Sequence, residues 1–167
     1  MATIFKIFKE RKESREIALS SICKGRVIPI TKVPDIAFSE RLLGDGVAFE
    51  LYDDTIYSPC DGEVILVSNT RHAIGICAEN GAEILIHCGM DTVNLNGEGL
   101  QPLVKLHSKI KRSCPVLQID KEFMREKEIC LITPMILTNA SGYEVCIREN
   151  DAEVDLSNIV YTIKKKG

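Results

Sequence analysis

From Gly25 onward, the hydrophobic residues of this chain fall in short runs that are separated by glycine, proline and other turn-forming residues. Many short runs with regularly spaced turn signals are typical of the strands of a sandwich or barrel. The pattern therefore predicts an all-β fold, an antiparallel β-sandwich or barrel with short helical turns. The expected strands are 26–30, 47–51, 55–58, 63–68, 73–79, 82–88, 103–106, 115–118, 132–138, 143–148 and 159–163.

Two segments show helical periodicity instead. Lys121–Glu128 is an internal segment of this kind, and Asp120 stands before it as a candidate N-cap. At the N-terminus, Ile4, Phe5 and Phe8 form one stripe of a helix among basic residues. That stripe predicts a short amphipathic segment.

The amphipathic segment covers residues 1–12 and leaves three alternatives open: a peripheral contact with an anionic membrane, a disordered tail, and docking on the core. Charged residues and serines dominate 11–24, so a linker is expected there. We therefore expect an N-terminal amphipathic and linker segment over 1–24 and a single domain over 25–167.

Two histidines flank a candidate hairpin. His87 ends the apolar strand 82–88, His72 precedes the strand 73–79, and the pair Asn80-Gly81 between them predicts a two-residue turn. With that turn, His87 faces Ile74, and His72 is its diagonal neighbour on the same face. A loop longer by one residue would place the two histidines on opposite faces.

The face that this register assigns to both histidines is largely apolar. Besides His72 and His87 it would carry Ile74, Ile76, Leu85 and Glu83. Apolar surroundings disfavour the charged imidazolium and lower the pKa of a histidine. The rings are therefore expected to be neutral, each with a free nitrogen that can act as a nucleophile or as a metal ligand.

Composition narrows the classes of function. The chain has 167 residues and a net charge of −3, and its few aromatic residues are not interleaved with basic ones, which argues against nucleic-acid binding. Its seven cysteines are odd in number and form no C-x-x-C pair, which favours free thiols in a reducing compartment. With no apolar run long enough to span a membrane and no signal peptide, a cytoplasmic location is expected.

Four blocks of residues together resemble the glucose-family IIA proteins of the bacterial phosphoenolpyruvate-dependent sugar phosphotransferase system. The resemblance covers nearly the whole chain, and the order and spacing of the blocks make it specific. The blocks are Val33–Phe38 with Gly44–Val47, Ser58–Gly62, Thr70–Ala73, and Leu85–Val93 with Gly97–Gly99.

The resemblance implies a phosphoryl carrier. His87 would accept the phosphoryl group from phosphohistidine on the carrier protein HPr and pass it to a cysteine on a IIB domain of a IIB/IIC sugar permease. His72 would be the supporting histidine that helps hold the phosphoryl oxygens. Thr70 would hydrogen-bond in the histidine network, and the backbone carbonyl of Gly89 would orient the active ring. No cofactor is required for this role.

The resemblance also implies a docking surface. Asp35 and Asp91 match acidic residues that flank the site and meet an arginine of HPr, while Ile36 and Phe38 match part of an apolar rim that docks partners. Residues 1–12 match a membrane-associating tail. The family uses the same rim to regulate transporters and enzymes, so such proteins are further expected partners.

Two other readings remain. His72 and His87, with Asp91 as a third ligand, would suit Zn²⁺ in a hydrolase, although no metal-binding motif accompanies them; a partner protein would otherwise have to complete the zinc site. The second alternative hypothesis is a regulatory binding module that has no catalytic activity. His107 has neither the neighbours nor the context of the other histidines and is expected to be structural or exposed.

Three positions depart from the family pattern. Arg71 stands where an asparagine is common, Cys88 stands where a larger apolar residue is usual, and Ile74-Gly75 replaces a more aromatic rim. These changes leave both histidines in place and bear on partner preference.

Overall fold

In a computed structural model that describes residues 2–13 and 15–167, short antiparallel strands make up most of the regular structure. The strands are β1 Ile17–Ser20, β2 Gly25–Pro29, β3 Asp45–Leu51, β4 Thr55–Tyr57, β5 Gly62–Val67, β6 Ala73–Ala78, β7 Glu83–His87, β8 Leu100–Pro102, β9 Lys109–Ile110, β10 Pro115–Ile119, β11 Thr133–Leu137, β12 Tyr143–Ile147, β13 Ala152–Val154 and β14 Ile159–Lys165. The helices are α1 Ala2–Glu13, α2 Ile36–Ser39 and α3 Lys121–Glu126, with short 3-10 turns at Ile30–Lys32, Thr92–Leu95 and Ala140–Gly142.

Within the described residues, the strands form three antiparallel sheets. The largest has eight strands in the order β13-β2-β3-β11-β7-β6-β5-β9, and two three-stranded sheets have the orders β1-β14-β12 and β4-β10-β8. Tyr161 on β14 is fully buried, and its hydroxyl donates to the backbone carbonyl of Met135 on β11 at 3.4 Å, which joins two of the sheets. The predicted all-β fold is confirmed.

The main core lies on the inner face of the large sheet. Ile74 and Ile76 on β6 are paired with Ile86 and Ile84 on β7, and all four side chains are essentially inaccessible to solvent. Side chains alternate between the faces of a strand, so the residues between these isoleucines point to the opposite side. The strand β7 therefore directs Leu85 and His87 away from the main core.

A second, smaller core cluster lies near the end of β7. Its buried members include Phe38 of α2, Met90 after β7, and Ile136 of β11, and Leu85 packs against them in a half-buried position. This cluster supports the surface on which His87 lies.

The expected linker over residues 11–24 is wrong for its second half. Residues Ile17–Ser20 form β1, which pairs with β14, and Leu19, Ile22 and Cys23 are fully buried. The segment contributes to the core although its apolar residues are sparse. Its partner strand β14 lies at the far end of the chain, so the local sequence does not indicate the pairing. The folded domain therefore begins before residue 25.

Most of the remaining strand and helix predictions agree with the structure. The helix at Lys121–Glu126 is present, and Asp120 caps it by accepting a hydrogen bond from the backbone N–H of Phe123 at 3.0 Å. The predicted strand 103–106 is instead irregular, and the short strands β8, β9 and β13 were not predicted.

The hairpin between β6 and β7 differs from the predicted register by one residue. Ala73 lies opposite His87, and the backbone N–H of Ala78 donates to the carbonyl of Ala82 at 2.8 Å, so the loop has three residues and not two. Gly81 has a φ of 85° while Asn80 stays in the ordinary region, as in a turn that ends in a left-handed glycine. The buried Asn80 side chain donates to the carbonyl of Arg15 at 3.0 Å, a long-range contact that a local turn rule does not include.

The N-terminal helix α1 leaves its apolar stripe in solvent. Ile4, Phe5 and Phe8 are 59%, 76% and 66% exposed, so the predicted amphipathic helix is present and core docking of this stripe is wrong. Among the described residues, no helix combines the length and apolarity that crossing a membrane requires.

Candidate functional site

His72 and His87 meet at the end of the β6–β7 hairpin. Their ring centroids are 4.8 Å apart and their planes are inclined by 73°. The contact survives the register difference because His72 lies just before β6, where strand alternation no longer applies; the left-handed Arg71 (φ 62°) turns the chain there. The carbonyl of His72 accepts a hydrogen bond from the N–H of Cys88 at 2.7 Å, which fixes the two chain segments side by side.

The surroundings of the pair also follow from the true register. Ile74 and Ile76 were expected on the histidine face, but they point into the main core. The face of His87 carries instead Ala73, opposite it on β6, and Leu85, two residues earlier on β7. The neighbours of His87 on this face of the hairpin are therefore a small residue and a half-buried leucine rather than a layer of isoleucines.

The imidazole of His87 is oriented by one backbone carbonyl. Its Nδ1 lies 2.9 Å from the carbonyl oxygen of Gly89. A carbonyl oxygen can only accept, so Nδ1 carries the hydrogen and the neutral ring keeps its lone pair on Nε2. Burial lowers the pKa of His87 below its ordinary value, opposed in part by the hydrogen bond to Gly89. The lowered pKa favours the expected neutral ring, whose free Nε2 could act as a nucleophile or as a metal ligand.

Gly89 can adopt its conformation because it has no side chain. Its φ is 70°, and a Cβ at this position would lie 2.8 Å from Cγ2 of Thr92 and 2.9 Å from the carbonyl oxygen of Cys130. Any other residue would be strained in its backbone and would overlap these neighbours. Only glycine therefore places this carbonyl under His87 without displacement.

The second ring is held by hydroxyl groups. Nδ1 of His72 lies 2.7 Å from Oγ1 of Thr70 and 3.4 Å from Oγ of Ser68. Ser68 Oγ also accepts a hydrogen bond from the N–H of Ala73 at 3.0 Å and so closes the loop that carries His72. Burial, and next the nearby His87, lower the pKa of His72. Thr70 was expected in this network; Ser68 was not, because nothing in its local sequence marks it.

The two carboxylates lie at the exposed edge of the site. Asp35 caps α2 by accepting from the N–H of Ala37 at 2.8 Å, and Asp91 begins the 3-10 turn after β7 with a φ of 56°. Both negative charges act on His87, where they raise its pKa against the larger effect of burial. Each carboxylate is thus near the ring while its side chain remains open to solvent.

The two apolar rim residues have different positions. Ile36 is 69% exposed, as a docking residue must be. Phe38 is 3% exposed and its ring packs edge-on against His87 at a centroid distance of 5.1 Å, so it offers little surface to a partner, and its docking role stays a prediction. Other exposed apolar side chains that the sequence did not single out are Leu42 and Leu43, which follow α2, and Val93, in the 3-10 turn after β7.

The remaining candidates lie outside the pair. Cys88 is fully buried, and its burial raises the pKa of the thiol to about 12, so the thiol is protonated. His107 is exposed and lies 3.4 Å from Glu63. The stem of Arg71 lies against Gly97.

Within residues 2–13 and 15–167, no cluster of three or more His, Cys, Asp and Glu side chains is arranged to hold a metal ion. His72 and His87 supply two imidazoles, and the expected contribution of Asp91 as a third ligand does not form in this chain by itself. A zinc ion at the pair would need a ligand from another molecule.

Known proteins resemble this chain along most of its length. Residues 17–143 match the family described as phosphoenolpyruvate-dependent sugar phosphotransferase system, EIIA 1. The structure is similar to that of the glucose permease IIA from Mycoplasma capricolum, with a TM-score of 0.82 and 29% sequence identity over 89% of this chain and 96% of that one. The family match begins at Ile17, the first residue of β1, and includes both His72 and His87. The chain belongs to the EIIA 1 family of the phosphoenolpyruvate-dependent sugar phosphotransferase system.

Proposed function

We propose that His87 is the phosphoryl acceptor of this phosphotransferase-system component. It would take the group from phosphohistidine on HPr and pass it to a cysteine on a IIB domain, for sugar uptake through a IIB/IIC permease. The observation that carries the proposal is the hydrogen bond between Nδ1 of His87 and the carbonyl of Gly89, beside a second neutral imidazole. That bond leaves Nε2 as the nucleophile.

The transfer needs no proton to be removed from the nucleophile. The Nε2 lone pair of His87 forms the new N–P bond while the N–P bond to the donor imidazole breaks and its electron pair returns to the donor ring. Phosphoryl transfer has a loose transition state, so the protein contributes mainly position and charge stabilisation. The donor is already activated, and a metal ion is therefore not required.

His72 suits the role of holding the phosphoryl oxygens. When the hydroxyl of Thr70 donates to Nδ1 of His72 across 2.7 Å, the neutral His72 ring carries its hydrogen on Nε2. That N–H can donate to a phosphoryl oxygen on His87, because the two rings are in contact. A charge-assisted hydrogen bond of this kind is stronger than a neutral one.

The exposed carboxylates suit docking better than catalysis. A phosphoryl group is anionic, so Asp35 and Asp91 would repel it at contact distance, whereas an arginine of HPr would be attracted to both. Exposed Ile36 supplies apolar area beside them. The same rim would serve any transporter or enzyme that this protein regulates.

We propose two further contacts, one with lipid and one with zinc. The exposed apolar stripe of α1, flanked by basic residues, suits a peripheral contact with anionic lipid, which co-sedimentation with anionic and with neutral vesicles would test. Zinc would bind the histidine pair only with a partner's ligand, so dialysed protein alone should retain none in elemental analysis.

The test uses phosphoenolpyruvate, enzyme I and HPr, with detection of acid-labile, alkali-stable phosphate on the protein. His87→Gln should abolish labelling, and the matched control His107→Gln, at the exposed third histidine, should leave it unchanged. His72→Gln should still be labelled but should pass the group on poorly to a IIB domain. Labelling of His87→Gln would show that the acceptor is another residue.

A further inference from the structure

Two buried threonines hold the peptide group that precedes the carbonyl under His87. The carbonyl of Cys88 accepts a hydrogen bond from Oγ1 of Thr92 at 2.6 Å, and the N–H of Gly89 donates to Oγ1 of Thr133 at 3.3 Å. Both threonine side chains are fully inaccessible to solvent. The peptide group between Cys88 and Gly89 is therefore held at its two ends by side chains that are distant from each other in sequence.

The next peptide group is also held at both ends. The carbonyl of Gly89 accepts from Nδ1 of His87 at 2.9 Å, and the N–H of Met90 donates to the carbonyl of Cys130 at 2.8 Å. A glycine allows wide rotation about its backbone bonds, so Gly89 alone does not determine where its carbonyl points. The bonds to the flanking peptide groups remove that freedom.

The hydroxyl of Thr133 makes one hydrogen bond more than is needed to satisfy its own hydrogen. Its hydroxyl donates to the carbonyl of Leu131 at 2.9 Å, which already satisfies the hydroxyl hydrogen. The same oxygen accepts from Gly89, and so it joins the loop after β7 to the start of β11. Thr92 lies on the 3-10 turn that follows the loop, so the two threonines act from different elements.

We propose that Thr92 and Thr133 are positioning residues, which fix the direction of the Gly89 carbonyl and thereby hold the His87 ring with its hydrogen on Nδ1 and its lone pair on Nε2. The consequence for phosphoryl transfer rests on the function proposed above. The tautomer of His87 does not, because it is a property of the unphosphorylated protein. In catalytic sites, a partner that fixes the tautomer of a histidine affects the rate strongly without touching the substrate.

The test replaces each hydroxyl by a methyl group of similar size. In Thr133→Val and in Thr92→Val, nitrogen-detected NMR of the histidine rings should show His87 losing its single Nδ1–H tautomer. Labelling by phospho-HPr should fall by about tenfold to a hundredfold, the range typical of losing an outer-shell hydrogen-bond partner of a metal-ligating histidine. Thr133→Ser and Thr92→Ser keep the hydroxyl and should keep the wild-type tautomer.

Two controls separate positioning from stability. Thr133→Ser loses a buried methyl group and is destabilised, yet it keeps the bond to Gly89. Ser58→Ala removes another fully buried hydroxyl, which donates to the carbonyl of Cys60 at 2.7 Å, outside the histidine site. Both controls should label at rates within about threefold of wild type. Because each threonine holds a different end of the peptide group, each valine variant that folds is a complete test.

An unchanged His87 tautomer in a folded valine variant would overturn the proposal, as would equal losses of labelling in Ser58→Ala. A shifted tautomer with wild-type labelling would overturn the role in transfer. If His87→Gln were still labelled while the valine variants shifted the tautomer, the positioning role would stand and the assignment of His87 as acceptor would be wrong.

Discussion

Replacing Gly89 by alanine should destabilise the protein and displace the carbonyl under His87. The cost has two parts. A non-glycine residue at a φ of 70° costs about 1–2 kcal/mol relative to the ordinary backbone regions. The added Cβ would stand 2.8 Å from Cγ2 of Thr92 and 2.9 Å from the carbonyl oxygen of Cys130, and relieving such overlap in a packed region costs about 1–3 kcal/mol. Together, Gly89→Ala should lower the free energy of unfolding by about 2–5 kcal/mol.

Urea unfolding at neutral pH measures this difference, and the chain offers a matched control. Gly142 lies in the turn before β12, where a Cβ would meet no atom within 4 Å and the φ is not positive. Gly142→Ala should therefore lower the free energy of unfolding by no more than about 0.5 kcal/mol. Alanine also reduces the entropy of the unfolded chain, and where that effect dominates the variant is more stable than wild type. If the two variants differed by less than about 1 kcal/mol, the left-handed conformation and the close packing described for Gly89 would be refuted.

Gly89→Ala should also impair the histidine site in protein that remains folded. Thr92 and Cys130 are the neighbours that the new methyl group would push, and both hold the loop that carries the carbonyl. Labelling by phospho-HPr should fall even at temperatures where the variant is fully folded, which circular dichroism would establish in the same sample. Wild-type labelling of the folded variant would show that the loop can move without cost to His87.

Two further predictions concern protonation. Burial lowers the pKa of His87 below the ordinary 6.5, so as pH falls below 6.5 the unfolded chain takes up the proton first. The contribution of His87 to the free energy of unfolding is therefore complete above pH 6.5 and declines below it. Urea titrations in that range should show a smaller loss of stability for His87→Gln than for wild type, and parallel curves would contradict the lowered pKa. Burial raises the pKa of the Cys88 thiol to about 12, so brief alkylation of the native protein should modify exposed Cys130 and Cys146 and spare Cys88 in peptide mass spectra, whereas early modification of Cys88 would contradict its burial.

Helices and strands whose formation depends on residues close together in sequence could be predicted from the sequence. The helix at Lys121–Glu126 and its cap Asp120 involve contacts over three residues, and the apolar runs of β6 and β7 reflect burial that the side chains themselves encode. The same holds for the exposed stripe of α1. The two histidines could be singled out because each stands at the end of such a run.

The sequence misled where a distant residue decides the local geometry. A two-residue turn at Asn80-Gly81 was the better local expectation, but the Asn80 side chain bonds to Arg15, and the loop has one residue more. The family resemblance placed Phe38 on the docking rim, and the structure buries it because His87 and the small core cluster lie beside it.

By itself, the sequence determined the all-β class, the principal strands, the family and the pair His72 and His87, because these follow from short-range patterns and from ordered motifs. Only the tertiary structure decided the register of β6 and β7, the turn at Arg71 that keeps the two rings together in that register, the place of β1 against β14, and the hydrogen bonds of Thr92 and Thr133 that orient the Gly89 carbonyl. The physical reason is separation along the chain. Hydrogen bonds and packing between residues that are far apart in sequence leave no periodic trace in either segment, so their effect is visible only once the chain is folded.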